Sequence, residues 1–287
     1  MAARSNRNVL AGFSVMIADP LFAVRDRVVV VTGGGGRLGG QFARALLARG
    51  AKVAVFDAAD ATRVRDGYAD QDNKAPLRCY QVDVPQRDSI VDALNHVGNE
   101  WGSPQGLINA AAIDAPPDAP PEENGPFESY PASSFDRIMA VNVKGTMLCC
   151  QAIGERMAKA GRGSIVNICS TYGLVSPDQS LYDYRRDRGE TFYKPVTYSA
   201  SKSAILNLTR YLATYWAKQG VRVNTLTPGG VFANQEREFL EGYARRAPMG
   251  RMANEDEMNG GVIFLLSDAS SYMTGANLVI DGGWTAW

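Results

Sequence analysis

Short apolar runs alternate with longer segments of helical pattern along this chain. Val28–Val31 is a fully apolar, β-branched run, and Val53–Phe56 is a second one. Such runs are typical of strands that are buried on both faces of a parallel sheet. The segment between them carries Phe42 and Leu46 on one side and ends near Gly50, which predicts a helix. These residues therefore predict a strand–helix–strand unit.

The same alternation continues beyond this unit. Further strands are predicted at 78–82, 107–108, 164–168, 221–226 and 277–280. Further helices are predicted at 86–99, 133–160 and 198–218, with short helices within 229–260 and another helix that ends across 262–267.

Loops and termini complete the predicted organisation. The segment 114–131 holds six prolines, so it and the polar segment 171–196 are predicted to be loops beside a substrate cleft. Residues 1–25 lack clear periodicity and are predicted to be an N-terminal extension. The regular alternation from residue 26 to 287 favours an α/β fold, namely a Rossmann-like doubly wound parallel sheet in a single domain.

Charge and composition disfavour several classes of function. Thirty basic and thirty acidic residues balance, so no electrostatic footprint for nucleic acid or an anionic membrane is present. No apolar run is long enough to span a bilayer, and no signal peptide is evident, so a cytoplasmic protein is predicted. The single histidine, His96, and four cysteines without a CxxC pair disfavour a zinc site and a Ser-His-Asp hydrolase.

Two sequence features carry candidate chemistry. Tyr198 stands four residues before Lys202, so a helix would place phenol and ammonium on one face, and the cation would lower the tyrosine pKa. A glycine-rich turn follows the first strand, and Asp57 ends the second strand. Such a turn binds a pyrophosphate at a helix N-terminus, and an acid at this place binds the adenosine ribose and favours NAD over NADP. Arg37 leaves that choice open, because a cation there can also meet an extra phosphate.

From about residue 25 to the C-terminus the chain resembles the short-chain dehydrogenase/reductase family. The resemblance rests on Thr32–Gly39, Asp83-Val84, Asn109–Ala112, Asn142, Ser170, Tyr198, Lys202, Pro228-Gly229, Val231, Thr274-Gly275 and Asp281–Gly283. A weaker similarity points to members that act on sugars. Gly33, Gly36 and Gly39 also fit the spacing of a longer branch that modifies sugar nucleotides, but this chain is too short for it.

The resemblance implies a catalytic set and a cofactor site. The implied catalytic residues are Asn142, Ser170, Tyr198 and Lys202. The implied cofactor-binding residues are Gly33, Gly36, Arg37, Leu38, Gly39, Asp57, Asp83, Val84, Asn109, Ala110, Ala111, Tyr198, Lys202, Pro228, Gly229 and Val231. In this scheme Tyr198 transfers the proton, Lys202 supports it, Ser170 holds the substrate oxygen, and Asn142 holds a water.

Three departures from the family pattern concern binding detail. Arg37 stands where the short branch has glycine, and Ala110 and Ala112 replace polar or smaller residues. The separation of Ser170 from Tyr198 is about twice that usual in the family. The extra residues include Tyr184, Arg185 and Arg186, which together with Ser170 are predicted to contact the substrate.

The predicted function is an NAD-dependent oxidoreductase of a secondary alcohol, with a sugar or another polyhydroxylated or anionic small molecule as substrate. Two alternatives remain open: an NADP-dependent reductase of ketones or acyl thioesters, and a non-catalytic dinucleotide-binding protein. A homo-oligomer, as tetramer or dimer, is predicted from the apolar residues Leu206, Tyr211, Leu212 and Trp216. No metal is predicted.

Overall fold

A seven-stranded parallel sheet forms the centre of the protein. The computed structural model describes residues 19–71, 74–114 and 121–287. The strands are β1 Val28–Thr32, β2 Lys52–Asp57, β3 Leu77–Gln81, β4 Gly106–Asn109, β5 Gly163–Ile168, β6 Val221–Pro228 and β7 Asn277–Ile280. Their order in the sheet is β3-β2-β1-β4-β5-β6-β7, and every neighbouring pair is parallel.

Helices cover both faces of the sheet. They are α1 Arg37–Leu47, α2 Ala61–Asp66, α3 Arg87–Trp101, α4 Ala132–Met139, α5 Thr146–Lys159, α6 Asp183–Asp187, α7 Val196–Trp216, α8 Arg237–Arg246 and α9 Asn259–Leu266. One core lies between the sheet and α3, α5 and α7, and a second lies between the sheet and α1 and α9. All five residues of β1 are buried, because the strand contributes side chains to both cores. The predicted Rossmann-like α/β fold is confirmed.

The sequence predicted most elements within a few residues and missed two local features. The predicted long helix 133–160 is divided into α4 and α5 by a π-helical segment, Ala140–Gly145, whose widened turn includes Asn142. The predicted loop 171–196 contains α6 and the 3-10 turns Thr171–Gly173 and Gln179–Tyr182, so it is a folded insertion.

Several predictions concern residues outside the described ranges. Residues 1–18 of the N-terminal extension and residues 115–120 of the first loop are among them. Among the described residues, no helix is long and apolar enough to cross a membrane. In the same ranges, no group of three or more His, Cys, Asp or Glu residues is placed to hold a metal ion.

The parallel topology determines where the predicted chemistry lies. Each strand ends at the same edge of the sheet, because all seven run in one direction. Thr32, Asp57, Asn109, Ile168 and Pro228 are the last residues of their strands, so they meet along this edge. Ligands of open α/β sheets bind outside the carboxyl ends of the strands. The functional residues predicted from distant parts of the sequence are therefore brought to one edge.

Candidate active site

The glycine turn after β1 is too tight for larger residues. Gly33 has φ +66°, and a Cβ atom there would lie 2.7 Å from the Ala111 Cα. A Cβ atom on Gly39 would lie 2.3 Å from the Gly33 carbonyl oxygen. The N-cap residue of α1, Gly36, has no side chain to bond the first helical amides. These amides and the close backbone packing fit a pyrophosphate group, which such a helix N-terminus binds.

Asp57 is fixed at the end of β2 by two backbone amides. Its Oδ2 accepts a hydrogen bond from the Gly35 N–H at 2.8 Å, and its Oδ1 accepts one from the Ala59 N–H at 3.0 Å. A carboxylate oxygen accepts more than one hydrogen bond, so both oxygens retain capacity for ribose hydroxyls. The carboxylate is therefore held beside the glycine turn in a fixed orientation.

Arg37 spans the cleft from the start of α1. Its Nη1 donates a hydrogen bond to the Phe232 carbonyl oxygen at 2.5 Å. Phe232 follows Val231 in the segment after β6. The guanidinium therefore connects the glycine turn to the segment on the opposite side of the cleft.

The other predicted cofactor residues differ in what their side chains do. Leu38, Ala110, Pro228, Gly229 and Val231 line the cavity at the edge of the sheet. Asp83 is exposed, and its backbone N–H donates to Ser89 Oγ. Val84 is buried and packs against Gly145, where an added Cβ atom would lie 2.6 Å from its Cγ2.

The segment after β4 is anchored by side chains of neighbouring strands. The N–H groups of Ala110 and Ala111 each donate to Thr32 Oγ1 at 3.1 Å. Asn109 is buried, and its Nδ2 donates to Asn167 Oδ1 at 2.8 Å. The Asn109 amide nitrogen therefore serves the core beneath the site, and the predicted contact of Asn109 with the cofactor stays a prediction.

Ser170, Tyr198 and Lys202 converge at the edge of the sheet. Ser170 lies close enough to the Tyr198 phenol that its side chain lowers the pKa of that phenol. Lys202 Nζ lies 5.7 Å from the centroid of the Tyr198 ring and donates to the Ile168 carbonyl oxygen at 3.0 Å. All three side chains line one cavity of about 740 Å³. Ser170 and Lys202 lie 28 and 4 positions from Tyr198 in sequence. The fold brings them together with Tyr198, as the sequence predicted.

Burial is the main cause of the pKa shifts of Tyr198 and Lys202. Burial raises the pKa of Tyr198 above its usual value of 10.0, Asp114 raises it further, and the Ser170 hydrogen bond lowers it. Burial lowers the pKa of Lys202 from 10.5 to about 8. The enclosed phenol therefore has a raised pKa in this arrangement, and the predicted lowering of that pKa by Lys202 stays a prediction. Removing a charge from water disfavours the charged form of both residues.

Asn142 joins the loop after β4 to helix α7. Its Oδ1 accepts from the Ile113 N–H at 2.8 Å, and its Nδ2 donates to the Ile113 carbonyl oxygen and to Ser201 Oγ. Its own carbonyl oxygen accepts from Thr146 Oγ1 at 2.8 Å. These contacts give the side chain a positioning role, and its predicted contact with a water remains a prediction.

The folded insertion contributes two of its three predicted substrate residues to the cavity. Tyr184 and Arg185 line it, whereas Arg186 does not. Arg186 donates to the carbonyl oxygens of Phe192 and Gln179 and forms an ion pair with Asp183. The Arg186 guanidinium is therefore used to fold the insertion, and its predicted contact with substrate stays a prediction.

Further cavity residues were missed by sequence reasoning. Asp114 and Lys194 form an ion pair in the cavity wall, and Lys194 Nζ lies 5.1 Å from the Tyr198 ring centroid. Lys194 precedes Tyr198 by four residues, which is the same spacing that drew attention to Lys202. Other missed side chains are aromatic and come from distant elements: Tyr172, Phe192, Phe239, Tyr243 and Trp284.

The lowered pKa of Lys202 predicts a pH-dependent cost to folding. The residue is 4% exposed, and its folded pKa of about 8 lies below the unfolded value of 10.5. The cost is therefore complete below pH 8 and is relieved as the pH rises towards 10.5. Relative to Lys202→Met, the wild-type protein should gain at most about 3 kcal/mol of unfolding free energy across this range.

Urea denaturation at about pH 7 and about pH 10 measures this difference. Lys218→Met is a matched control, because Lys218 is exposed at the end of the same helical region. Equal pH dependence in wild type and Lys202→Met would contradict the burial of an ionisable ammonium at this position.

Comparison of the sequence with models of known protein families finds a match to one family. The sequence model of the family described as enoyl-(acyl carrier protein) reductase matches residues 37–285. A D-threitol dehydrogenase of Mycolicibacterium smegmatis is 32% identical over 273 residues, which cover 92% of this chain and 95% of that protein.

Solved structures share the fold over nearly the whole chain. A short chain dehydrogenase from Leptospira borgpetersenii, with bound NAD+, is 33% identical with a TM-score of 0.80, and the match covers 94% of this chain and 97% of that one. A gluconate 5-dehydrogenase from Burkholderia cenocepacia, in complex with NADP and tartrate, is 26% identical with a TM-score of 0.79 and coverages of 93% and 98%.

Proposed function

Because the chain belongs to the short-chain dehydrogenase/reductase family, we propose that it oxidises a secondary alcohol of a polyhydroxylated small molecule with NAD. The observation that carries this proposal is the convergence of Ser170, Tyr198 and Lys202 on one cavity, with the Lys202 ammonium 5.7 Å from the centroid of the Tyr198 ring. A dinucleotide-binding protein without catalysis has no need for this convergence. The relatives named as dehydrogenases of a polyol and of a sugar acid support the reaction class.

Each of the three residues has a separate task in this proposal. Tyr198 takes the proton of the substrate hydroxyl during oxidation and returns it during reduction. The Ser170 hydroxyl donates to the substrate oxygen and holds it against the phenol. Lys202 Nζ, which is held by the Ile168 carbonyl oxygen, supplies a nearby positive charge that favours the phenolate. Because burial raises the pKa of Tyr198, we expect oxidation to accelerate as the pH rises above neutrality, up to about pH 8, where Lys202 begins to lose its charge.

The residues at the carboxyl edge fit a nicotinamide dinucleotide. The cofactor supplies the acceptor for the hydride of the carbinol carbon. The amides at the start of α1 would hold the pyrophosphate, and Asp57 would accept the adenosine ribose hydroxyls. We favour NAD because the carboxylate would repel a 2′-phosphate, while Arg37 already bonds the Phe232 carbonyl oxygen. Lys202 would hold the nicotinamide ribose.

The oligomeric state and the cellular location of the protein remain predictions. Leu212 and Trp216 are buried in the protein's own core, so the predicted use of these two residues in an interface is corrected. Tyr211 and Tyr215 are each 62% exposed and stack on one another on the outer face of α7. We propose that this face carries the contact of a homo-oligomer, and a monomeric mass in solution would contradict it. The cytoplasmic location stays a prediction.

Turnover of alcohols tests the proposal. Purified protein is mixed with NAD and a panel of polyols, sugar acids and simple alcohols, and the absorbance of the reduced nicotinamide is followed. We expect turnover of at least one polyhydroxylated compound, faster with NAD than with NADP. Cofactor binding without turnover on the whole panel would reject the enzymatic proposal in favour of a binding protein.

A further inference from the structure

The walls of the cavity around Tyr198 combine aromatic rings with a few charged groups. Tyr172, Tyr182, Phe192, Phe239, Tyr243 and Trp284 supply the aromatic surface. The charged side chains that line the cavity are Asp114, Arg185, Lys194, Lys202 and Glu236. Aromatic side chains offer an apolar face together with a polar edge, which suits a ligand with C–H faces and hydroxyl groups. The charged groups decide which ligand charge is accepted.

Nearly every one of these charges is already neutralised by the protein. Lys194 forms an ion pair with Asp114, and Arg185 is bonded to Glu190 at 2.6 Å while its guanidinium stacks on Phe192. Glu236 is bonded at 2.7 Å by Arg188, which it shares with Glu238. Among the described residues that line the cavity, only Lys202 lacks an acidic partner, and its ammonium is held by a backbone carbonyl.

The position of Lys194 is fixed by the insertion. The Gln179 side chain accepts from the Lys194 N–H at 2.9 Å and donates to the Lys194 carbonyl oxygen at 3.0 Å. The Gln179 carbonyl oxygen in turn accepts from Arg186 at 2.7 Å. The Lys194 side chain is only 12% exposed. The insertion thus holds an ammonium and its carboxylate partner beside the catalytic phenol.

We propose that the cavity takes a neutral polyol in preference to a sugar acid, and that the Asp114–Lys194 pair determines this specificity by binding a second hydroxyl of the substrate. The inference rests on the proposed oxidation at Tyr198. It goes further because the similar proteins include both a D-threitol dehydrogenase and a gluconate 5-dehydrogenase, so they do not decide between the two substrate classes.

The physical reason is the cost of an unpaired charge. A hydroxyl group donates to the Asp114 carboxylate and accepts from the Lys194 ammonium, so it binds the pair without breaking it. A carboxylate would have to share Lys194 with Asp114, and the two like charges would repel. Part of the pair is shielded from water, since the side chains are 12% and 35% exposed, so this repulsion is only partly screened.

D-Arabinitol and D-arabinonate form a suitable probe pair, because they differ in having a hydroxymethyl group or a carboxylate at one end. For wild type we expect kcat/KM to favour D-arabinitol by about tenfold or more, the scale of an unfavourable like-charge contact. Asp114→Asn keeps the side-chain shape and leaves Lys194 without its partner. It should raise the ratio of arabinonate to arabinitol activity by about tenfold.

A second variant and a control separate specificity from general damage. Lys194→Met should lower kcat/KM for D-arabinitol without any gain for D-arabinonate, and with an unchanged KM for NAD. Glu241→Gln removes the same charge from the exposed pair with Arg237, outside the cavity lining. This control should leave the ratio of arabinonate to arabinitol activity unchanged. Calorimetric titration of both ligands gives the binding preference independently of turnover.

The outcomes distinguish the two proposals. Turnover of both compounds with arabinonate preferred, or an unchanged ratio in Asp114→Asn, overturns the specificity inference and leaves the oxidation intact. Absence of turnover with both compounds and with the wider panel rejects the oxidation. In that case calorimetry still decides the inference: binding of arabinitol over arabinonate supports it, and the reverse order or no binding of either overturns it.

Discussion

Tyr198→Phe is expected to reduce kcat by about 10²–10⁴-fold, which is the range of general acid–base catalysis. The change removes one hydroxyl and leaves the ring that packs between Lys194 and Lys202. Without the phenol, the proton of the substrate hydroxyl loses its proposed acceptor, while Ser170 and Lys202 still line the cavity. The KM for NAD should change little, because Lys202 and the glycine turn are untouched. Steady-state kinetics with the best substrate of the panel measures the effect.

Tyr272→Phe is the matched control for this prediction. Tyr272 is fully exposed and does not line the cavity around Tyr198. Its loss of a hydroxyl should leave kcat within about twofold, as for most exposed substitutions. A Tyr198→Phe enzyme with the same kcat as this control would remove Tyr198 from the proton-transfer role.

Asp57→Asn should shift the cofactor preference towards NADP by about 10- to 100-fold in the ratio of kcat/KM values, as removal of a like-charge repulsion allows. The amide oxygen of asparagine can still accept from the Gly35 N–H, so the side chain at position 57 keeps its contact with the glycine turn. The negative charge that opposes a 2′-phosphate is lost. Kinetics with saturating alcohol and varied NAD or NADP gives the ratio.

Asp60→Asn provides the control, because Asp60 is a nearby exposed carboxylate that caps α2. Asparagine is also a good N-cap, so this change should preserve the helix and the cofactor ratio. If Asp57→Asn and Asp60→Asn give the same ratio as wild type, Asp57 does not select the cofactor.

Local patterns were sufficient to predict the framework of this protein. The apolar runs at Val28–Val31 and Val53–Phe56 became strands β1 and β2, since a strand buried on both faces needs no polar alternation. The site residues at strand ends followed from the parallel topology. The family resemblance predicted that Ser170 and Tyr198 share a site, and both side chains line the same cavity.

The sequence alone could not distinguish the roles of neighbouring residues of the same type. Arg185 and Arg186 are adjacent and identical, yet one lines the cavity and the other binds backbone carbonyls within the insertion. The short helix α6 points consecutive side chains in different directions, so the assignment depends on how that helix sits. The prediction of interface residues was partly wrong for the same reason. Leu212 and Tyr211 are neighbours in sequence, but Leu212 faces the core and Tyr211 faces outward.

Long-range electrostatics also lay beyond the sequence pattern. Asp114 and Lys194 are 80 positions apart and pair only because the insertion folds back over the cavity. The raised pKa of Tyr198 depends on how completely its phenol is enclosed, and the Tyr–Lys spacing alone contains no information on burial. Patterns of spacing identify candidate groups, whereas their protonation depends on the packed surroundings.

Isotope transfer tests the central claim most directly, namely that Ser170, Tyr198 and Lys202 form a site for alcohol oxidation. D-Arabinitol deuterated at its carbinol carbons is incubated with wild-type protein and NAD, and the nicotinamide is analysed by mass spectrometry. We predict that reduced nicotinamide carrying one deuterium forms with wild type and forms far more slowly with Tyr198→Phe. Formation of deuterated cofactor at equal rates in both proteins would contradict this account of the site.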